Sequence, residues 1–430
     1  MKINGRNGMT LTASIRKTAS AAIMAALLLA GGRLFAASSV ETSLVGIPVV
    51  GAPVVGARSV VVMDQATGTI LYGKNPDLVI PPASLTKLIT LHLVYEEIRA
   101  GRLSEDEIVT IDKRDCSPYI PYGSSLMYLR PGMRVSVIDL MRGAAVVSGN
   151  DAAFALARRI SGSNEAFAAR MNAAVRALGL RDLFFVEPSG LSELNHVTAR
   201  AFAEFCRLYM TLHPQAINEL HSLHFIEFPR PEHFTADYHP TARIVQYTKN
   251  NLVLSYPGCD GLKTGYIIEA GYNLAATAQR GDTRFIIVTL GGTGEGSAAG
   301  GSAQRSHDGV ALLDWAFSSF VTLRPELGAL PAPRAWFGAT ERVTLAPASA
   351  LAVTLPRSLA SSIQERVDAP ASLDAPLSAG ARVGEVVYSA QGHVIRRVDL
   401  VAAAEIPRGN IFILIRDAFA KFFTSLVGGA

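Results

Sequence analysis

The chain has little cysteine. There are three in 430 residues, Cys116, Cys206 and Cys259, and no C-x-x-C pair. That excludes a disulfide framework and leaves one bridge at most; buried thiols are the simpler reading. The histidines do not make up for the missing thiolates. Five of them, His213, His221, His224, His233 and His239, crowd into residues 213–239, yet none matches a zinc spacing. No metal and no other cofactor is expected. A phosphate-binding loop is also missing: Gly291-Gly292-Thr293-Gly294-Glu295-Gly296 lacks the lysine such a loop needs. It reads instead as part of a flexible Gly/Ser loop over 291–301.

Acidic residues are absent from the first 36 positions, which hold five of the 40 basic residues: Lys2, Arg6, Arg16, Lys17 and Arg33. The remainder carries 35 basic against 36 acidic residues, a net of −1, so the formal +4 belongs to the N-terminus. It gives no support for nucleic-acid binding. The apolar run from Ala19 to Gly31 is too short for a comfortable membrane span. With its basic flank and the small residues Ala36, Ala37 and Ser38, it reads as a secretory signal over 1–36; a retained anchor is the alternative. A Val/Pro/Gly-rich leader over 37–57 follows. With 49% hydrophobic and 18% charged residues, the rest is globular and long enough for two or three domains.

Ser59-Val60-Val61-Val62-Met63-Asp64 and Ile70-Leu71-Tyr72 flank Ala66-Thr67-Gly68 and predict a hairpin. After Pro81-Pro82 a helix is expected, with Ser84 in its first turn. Val137 to Leu178 has helical periodicity, broken at Ser148-Gly149-Asn150, and Thr198 to Leu212 predicts another helix. The period becomes strand-like from Leu252, with strands at 263–267, 272–277 and 284–290, and a closing helix at 306–320. These strands and helices together make an α+β unit over 58–322. Short alternating runs between Pro and Gly turns predict a small all-β domain over 331–408. Residues 411–430 form an amphipathic helix. Asp417, Lys421, Thr424 and Ser425 fall on one side; Ile411, Phe412, Ile415, Phe419, Phe422, Phe423 and Leu426 fall on the other. The aromatic face suits a membrane interface, and packing on the β domain is the alternative.

Ser84 and Lys87 are three apart, which on a helix sets a hydroxyl nucleophile beside an amine base. Alone, Ser-x-x-Lys is common. Here Ser148-Gly149-Asn150 and Lys263-Thr264-Gly265 follow in order, at a helix–helix break and on a strand. The wider runs Pro81 to Lys87, Ser148-Gly149-Asn150-Asp151-Ala152, Pro188-Ser189-Gly190-Leu191, Asp260 to Tyr266 and Gly271-Tyr272-Asn273-Leu274 resemble the low-molecular-mass penicillin-binding proteins over 58–320.

That resemblance implies a β-lactamase/transpeptidase-like domain, with an antiparallel sheet flanked by helices plus a helical subdomain. It implies a serine-type D-Ala-D-Ala carboxypeptidase, exported to the periplasmic face of the cytoplasmic membrane. It would act on the peptidoglycan stem pentapeptide and be acylated by β-lactam antibiotics. Ser84 would be the nucleophile, Lys87 its base and Ser148 a proton relay. Burial and the charge of Lys263 would both lower the Lys87 pKa. Asn150, Lys263, Thr264 and Gly265 would bind substrate, with the backbone N–H groups of Ser84 and Tyr266 as the oxyanion hole. Arg305, ten residues before Trp315, sits where the family has a carboxylate-binding arginine.

Competing readings are a DD-endopeptidase, a silent peptidoglycan-binding protein, and a serine β-lactamase. The last rests on Glu193-Leu194-Asn195, with Glu187-Pro188 upstream, which resembles a deacylating loop. Gly149, where class A β-lactamases carry aspartate, argues against it.

Overall fold

The computed structural model describes residues 51–294 and 298–427. The expected signal, and the leader before Gly51, lie outside the described residues. The end of the leader already belongs to the folded unit. Val55 and Ala57 are buried, and Lys74 Nζ donates to both of their carbonyls at 2.9 and 2.8 Å.

The hairpin forms as predicted, with β1 (Ser59–Asp64) and β2 (Ile70–Lys74). Three further strands complete the sheet: β3 (Cys259–Ile267), β4 (Gly271–Arg280) and β5 (Thr283–Gly292). Their order is β2-β1-β5-β4-β3, antiparallel throughout. Every residue of β1 is buried, so both faces of the sheet must be covered. The period of two divides them. Val61, Met63, Ala275, Ile286 and Val288 join one core; Val60, Val62, Leu274, Ala276 and Ile287 join another.

The first core is shared with α1 (Lys87–Arg99), α2 (Val137–Val146), α3 (Asn150–Ser161), α4 (Asn164–Ala177) and α5 (Ala199–Leu212). The helical run has one more break than its periodicity suggests. Gly162 closes α3 at φ 76°, and the Ser163 hydroxyl accepts from Ala166 N to cap α4. The second core is covered by α6 (Ala298–Ser319), through Leu312, Leu313, Ala316 and Phe317.

Two expectations shift. Residues 251–255 are a helical turn, not strand, because Asn250 caps it by accepting from Leu252 N at 3.2 Å. The loop expected over 291–301 is regular structure at both ends, and residues 295–297 lie outside the described residues. Gly291 and Gly292 finish β5, and α6 begins at Ala298. A Cβ on Gly301 would come within 2.0 Å of the Tyr272 ring, so that glycine lets α6 lie directly on the sheet.

The C-terminal strands β6 (Leu345–Pro347), β7 (Ile363–Asp368), β8 (Arg382–Ala390) and β9 (His393–Ala402) form a sheet in the order β6-β9-β8-β7. It has its own core around Val343, Leu355, Val386, Tyr388 and Leu400. Residues Phe320–Leu323 pair with Val353–Pro356 and tie it to the first domain. Last comes α7 (Ile411–Val427). It docks on the β domain by its polar side. Asp417 is fully buried, accepts from Phe337 N at 2.7 Å, and lies 3.5 Å from Arg334; Lys421 pairs with Asp374 at 2.5 Å. Its apolar side faces outward, with Phe412 at 78% and Phe419 at 63% exposure.

Candidate active site

The helix expected directly after Pro81 and Pro82 begins four residues later, at Lys87. A tight 3-10 turn, Ala83–Thr86, carries Ser84 and passes into α1 at Lys87. Ala83 has φ 51°, an uncommon value for a residue with a side chain. The three-residue spacing works as predicted: Lys87 Nζ lies 2.9 Å from Ser84 Oγ.

Lys87 is fully buried, and two more oxygens surround its amine. Asn150 Oδ1 stands at 2.6 Å and the Ser189 carbonyl at 2.7 Å. Burial brings the Lys87 pKa down to about 7, against the pull of Glu187 and Asp151, whose negative charges favour the cation. The brake on deprotonation is therefore a pair of carboxylates that sequence reasoning did not assign to the site. Lys263, also buried, is driven well below its ordinary value, first by desolvation and then by the charges of Lys87, Arg305 and Lys249.

Ser148 is 4% exposed with φ 63°, in the turn between α2 and α3. That turn is pinned: Gly149 N donates to Gly143 O at 2.9 Å and Asn150 N to Ser125 O at 2.9 Å. The Asp151 carboxylate accepts from Met127 N at 2.8 Å and Leu129 N at 3.0 Å, so a residue expected only to start a helix also fixes the loop above it.

Lys263, Thr264, Gly265 and Tyr266 lie on β3, the edge strand of the main sheet. Gly265 does more than bare the edge. A Cβ there would meet Pro82 O at 2.8 Å and Ser84 N at 3.1 Å, so the glycine lets the strand close on the backbone of Ser84. Arg305 Nη1 reaches Gly265 O at 3.5 Å from α6, and burial lowers its pKa to about 10. Asn273 is buried between Pro81 O at 2.9 Å and Gly291 N at 2.8 Å, holding the proline turn onto the sheet.

Glu193, the candidate deacylating glutamate, is exposed. Glu187 turns into its own loop, accepting from Ser189 N at 2.7 Å, Ser189 Oγ at 2.6 Å, Gly190 N at 2.6 Å and Asn195 Nδ2 at 2.9 Å. The sequence signal for that role was a glutamate just ahead of a Pro-Ser-Gly turn, whose amides converge on one acceptor.

A serine hydroxyl held against a buried amine of lowered pKa, on an α+β transpeptidase-like fold, is the arrangement of a serine acyl-transfer hydrolase. Residues 48–294 match the D-alanyl-D-alanine carboxypeptidase family, and residues 332–408 match the C-terminal domain of penicillin-binding protein 5. D-alanyl-D-alanine carboxypeptidase DacA of Escherichia coli is 32% identical over 396 residues, covering 90% of this chain and 91% of the relative. DacC of the same organism is 33% identical over 367 residues, covering 84% and 86%. The crystal structure of penicillin-binding protein 5 from Haemophilus influenzae superposes with a TM-score of 0.71 at 31% identity, covering 84% of this chain and all of that one. The chain belongs to the D-alanyl-D-alanine carboxypeptidase family. It is a hydrolase, a D-Ala-D-Ala carboxypeptidase of the penicillin-binding proteins that work on the bacterial cell wall.

Proposed function

We propose that Ser84 is the nucleophile that removes the terminal D-alanine from a peptidoglycan stem pentapeptide, with Lys87 as its base. The carrying observation is the set of three oxygens around Lys87 Nζ. A neutral amine has two N–H bonds and one lone pair. Asn150 Oδ1 and the Ser189 carbonyl only accept, so they take the two N–H bonds. The lone pair is then left to the Ser84 hydroxyl, the one neighbour able to donate.

In this reading Ser84 Oγ bonds to the carbonyl carbon between the two D-alanines as its proton passes to Lys87. The oxyanion is held by the N–H groups of Ser84 and Tyr266. As the intermediate collapses, the peptide C–N bond breaks and the leaving amine takes that proton, through Ser148. Water then cleaves the ester and regenerates Ser84. The substrate lies along the β3 edge, held by Asn150 and Gly265. Its terminal carboxylate sits among Lys263, Thr264 and Arg305, where an anion offsets the burial and, after it, the neighbouring positive charges that depress Lys263. A β-lactam acylates the same hydroxyl, but its amide is in a ring and no amine departs, which leaves an adduct.

The outward apolar face of α7 supports a membrane surface as the second partner, on the periplasmic side of the cytoplasmic membrane after export. Among the described residues no helix is long and apolar enough to cross a membrane, so the association would be interfacial. The test of the site is incubation with a labelled penicillin. A mass adduct on Ser84 is expected, with both adduct and D-alanine release lost in Ser84→Ala. D-alanine release that survives Ser84→Ala overturns the assignment.

A further inference from the structure

His213 sits at the edge of the histidine-rich stretch, where no zinc spacing exists. Its partners come from another helix. His92 and Glu96 are four apart on α1, one turn on a shared face, and His213 caps the end of α5. His92 Nδ1 lies 2.8 Å from His213 Nε2, which is 3.7 Å from Glu96 Oε1. Three ligand atoms, one from each residue, lie within 4.8 Å of one another.

Both imidazoles are buried, at 4% and 2% exposure. Glu96 Oε2 accepts from Arg99, but Glu96 Oε1 is buried and has no hydrogen-bond partner among the described residues. A buried carboxylate oxygen without a donor is costly and needs an explanation, of which an ion is one. Rings enclose the cluster: Tyr95 stacks on His213 at 5.0 Å, with Tyr209 at 5.5 Å, and Phe205 lies 5.9 Å from His92. Two imidazoles and a carboxylate in a closed setting are a donor set for Zn²⁺ and its borderline neighbours.

We propose that His92, Glu96 and His213 bind a divalent transition cation of the zinc class, with water as fourth ligand. Two nitrogens about 2.0–2.1 Å from a tetrahedral ion stand roughly 3.3 Å apart, so the imidazoles need to part by a few tenths of an ångström. The guanidinium of Arg99, paired with Glu96, is a nearby charge that opposes the cation. The site clamps α1, which begins with Lys87, to the end of α5, and its role is structural.

The test is metal retention by the chelator-stripped protein after dialysis against Zn²⁺, with Co²⁺ as a spectroscopic substitute. One equivalent of Zn²⁺ is expected in the wild type, with the intense visible bands of four-coordinate Co²⁺ and a Tm several degrees higher with metal. His92→Phe loses the equivalent, the bands and the Tm response. Glu96→Gln, isosteric and partly exposed, weakens Zn²⁺ at least tenfold and serves if His92→Phe does not fold. Penicillin labelling of each variant reports folding. Equal retention by the wild type and a folded variant, or Co²⁺ spectra of the aqueous ion only, overturns the proposal in favour of a plain His92–His213 hydrogen bond.

Discussion

Lys87 Nζ lies 2.7 Å from the carbonyl oxygen of Ser189, 102 positions further along the chain. This backbone oxygen stays in place because Glu187 gathers the amides of Ser189 and Gly190 onto its carboxylate. Glu187 therefore acts on Lys87 twice. It aims an acceptor at the amine, and its charge holds the amine's pKa up.

The pH dependence of acylation separates these effects. In the proposed mechanism the neutral amine is the competent form, so the rate of penicillin acylation should rise with pH through about 7 and level off above it. Glu187→Gln removes a charge that favours the ammonium. The Lys87 pKa falls further, and the acid limb moves to lower pH. The variant also presents an amide where the loop offers N–H donors, so its Tm should drop, by the equivalent of about 1–3 kcal/mol. A pH–rate profile of stopped-flow labelling decides; an acid limb that stays put, or moves up, removes Glu187 from this role.

The same burial carries a stability cost that depends on pH. Lys87 titrates at about 7 in the fold, against an ordinary value of 10.5. Between those values the unfolded chain binds a proton that the native state does not, so stability rises with pH across that window. Below about 7 the cost is present in full, about 5 kcal/mol at 1.36 kcal/mol per pH unit. Lys87→Met removes it. Its stability advantage over the wild type should be largest at pH 6 and shrink towards pH 10, in paired denaturant titrations. An advantage that grows with pH has the wrong sign for this account.

Local geometry was the legible part of the site. The Ser84–Lys87 spacing needs only a helical turn, and β1 declares itself by an unbroken β-branched run. Ser148, Asn150 and Lys263 were legible through the order of their motifs. The groups that hold these residues were not. Ser189 contributes a carbonyl, which every residue has, so its identity carries no signal. Asp151 and Asn273 act through amides and carbonyls of distant segments, contacts that only the tertiary fold creates. The outward apolar face of α7 was visible as a pattern, but not that its polar face would be the docked one.

Two glycines packed against the Ala83–Ser84 backbone should differ in tolerance. At Gly190 φ is 89°, and a Cβ would come within 1.9 Å of Ala83 O. Left-handed backbone costs an alanine about 1–2 kcal/mol before any overlap. The overlap here is with backbone and cannot be relieved by a rotamer. Gly190→Ala should lose about 3 kcal/mol or more, together with penicillin labelling. Gly265→Ala meets Pro82 O at 2.8 Å without the positive φ, and should lose less stability while still slowing acylation. Melting curves and labelling rates rank the two; the reverse order contradicts the packing.

The tail divides its two faces between two partners. Asp417 and Lys421 face the β domain, while Ile411, Phe412, Ile415, Phe419, Phe422 and Phe423 are each at least 50% exposed. Docking therefore uses the polar groups and leaves the apolar face free for a lipid surface. A chain ending at Asn410 should keep penicillin acylation and stop co-sedimenting with phospholipid vesicles. Phe419→Ser should weaken vesicle binding at least about tenfold, since burying one such ring contributes about 1.5–3 kcal/mol. Asp417→Ala should do the opposite kind of damage, loosening the helix from Phe337 and Arg334 while vesicle binding persists. Arg416, Asp417 and Lys421 leave the helix only weakly charged over 411–427, so the binding should be nearly insensitive to salt. Binding that collapses at high salt, or that survives removal of the tail, places the membrane contact elsewhere.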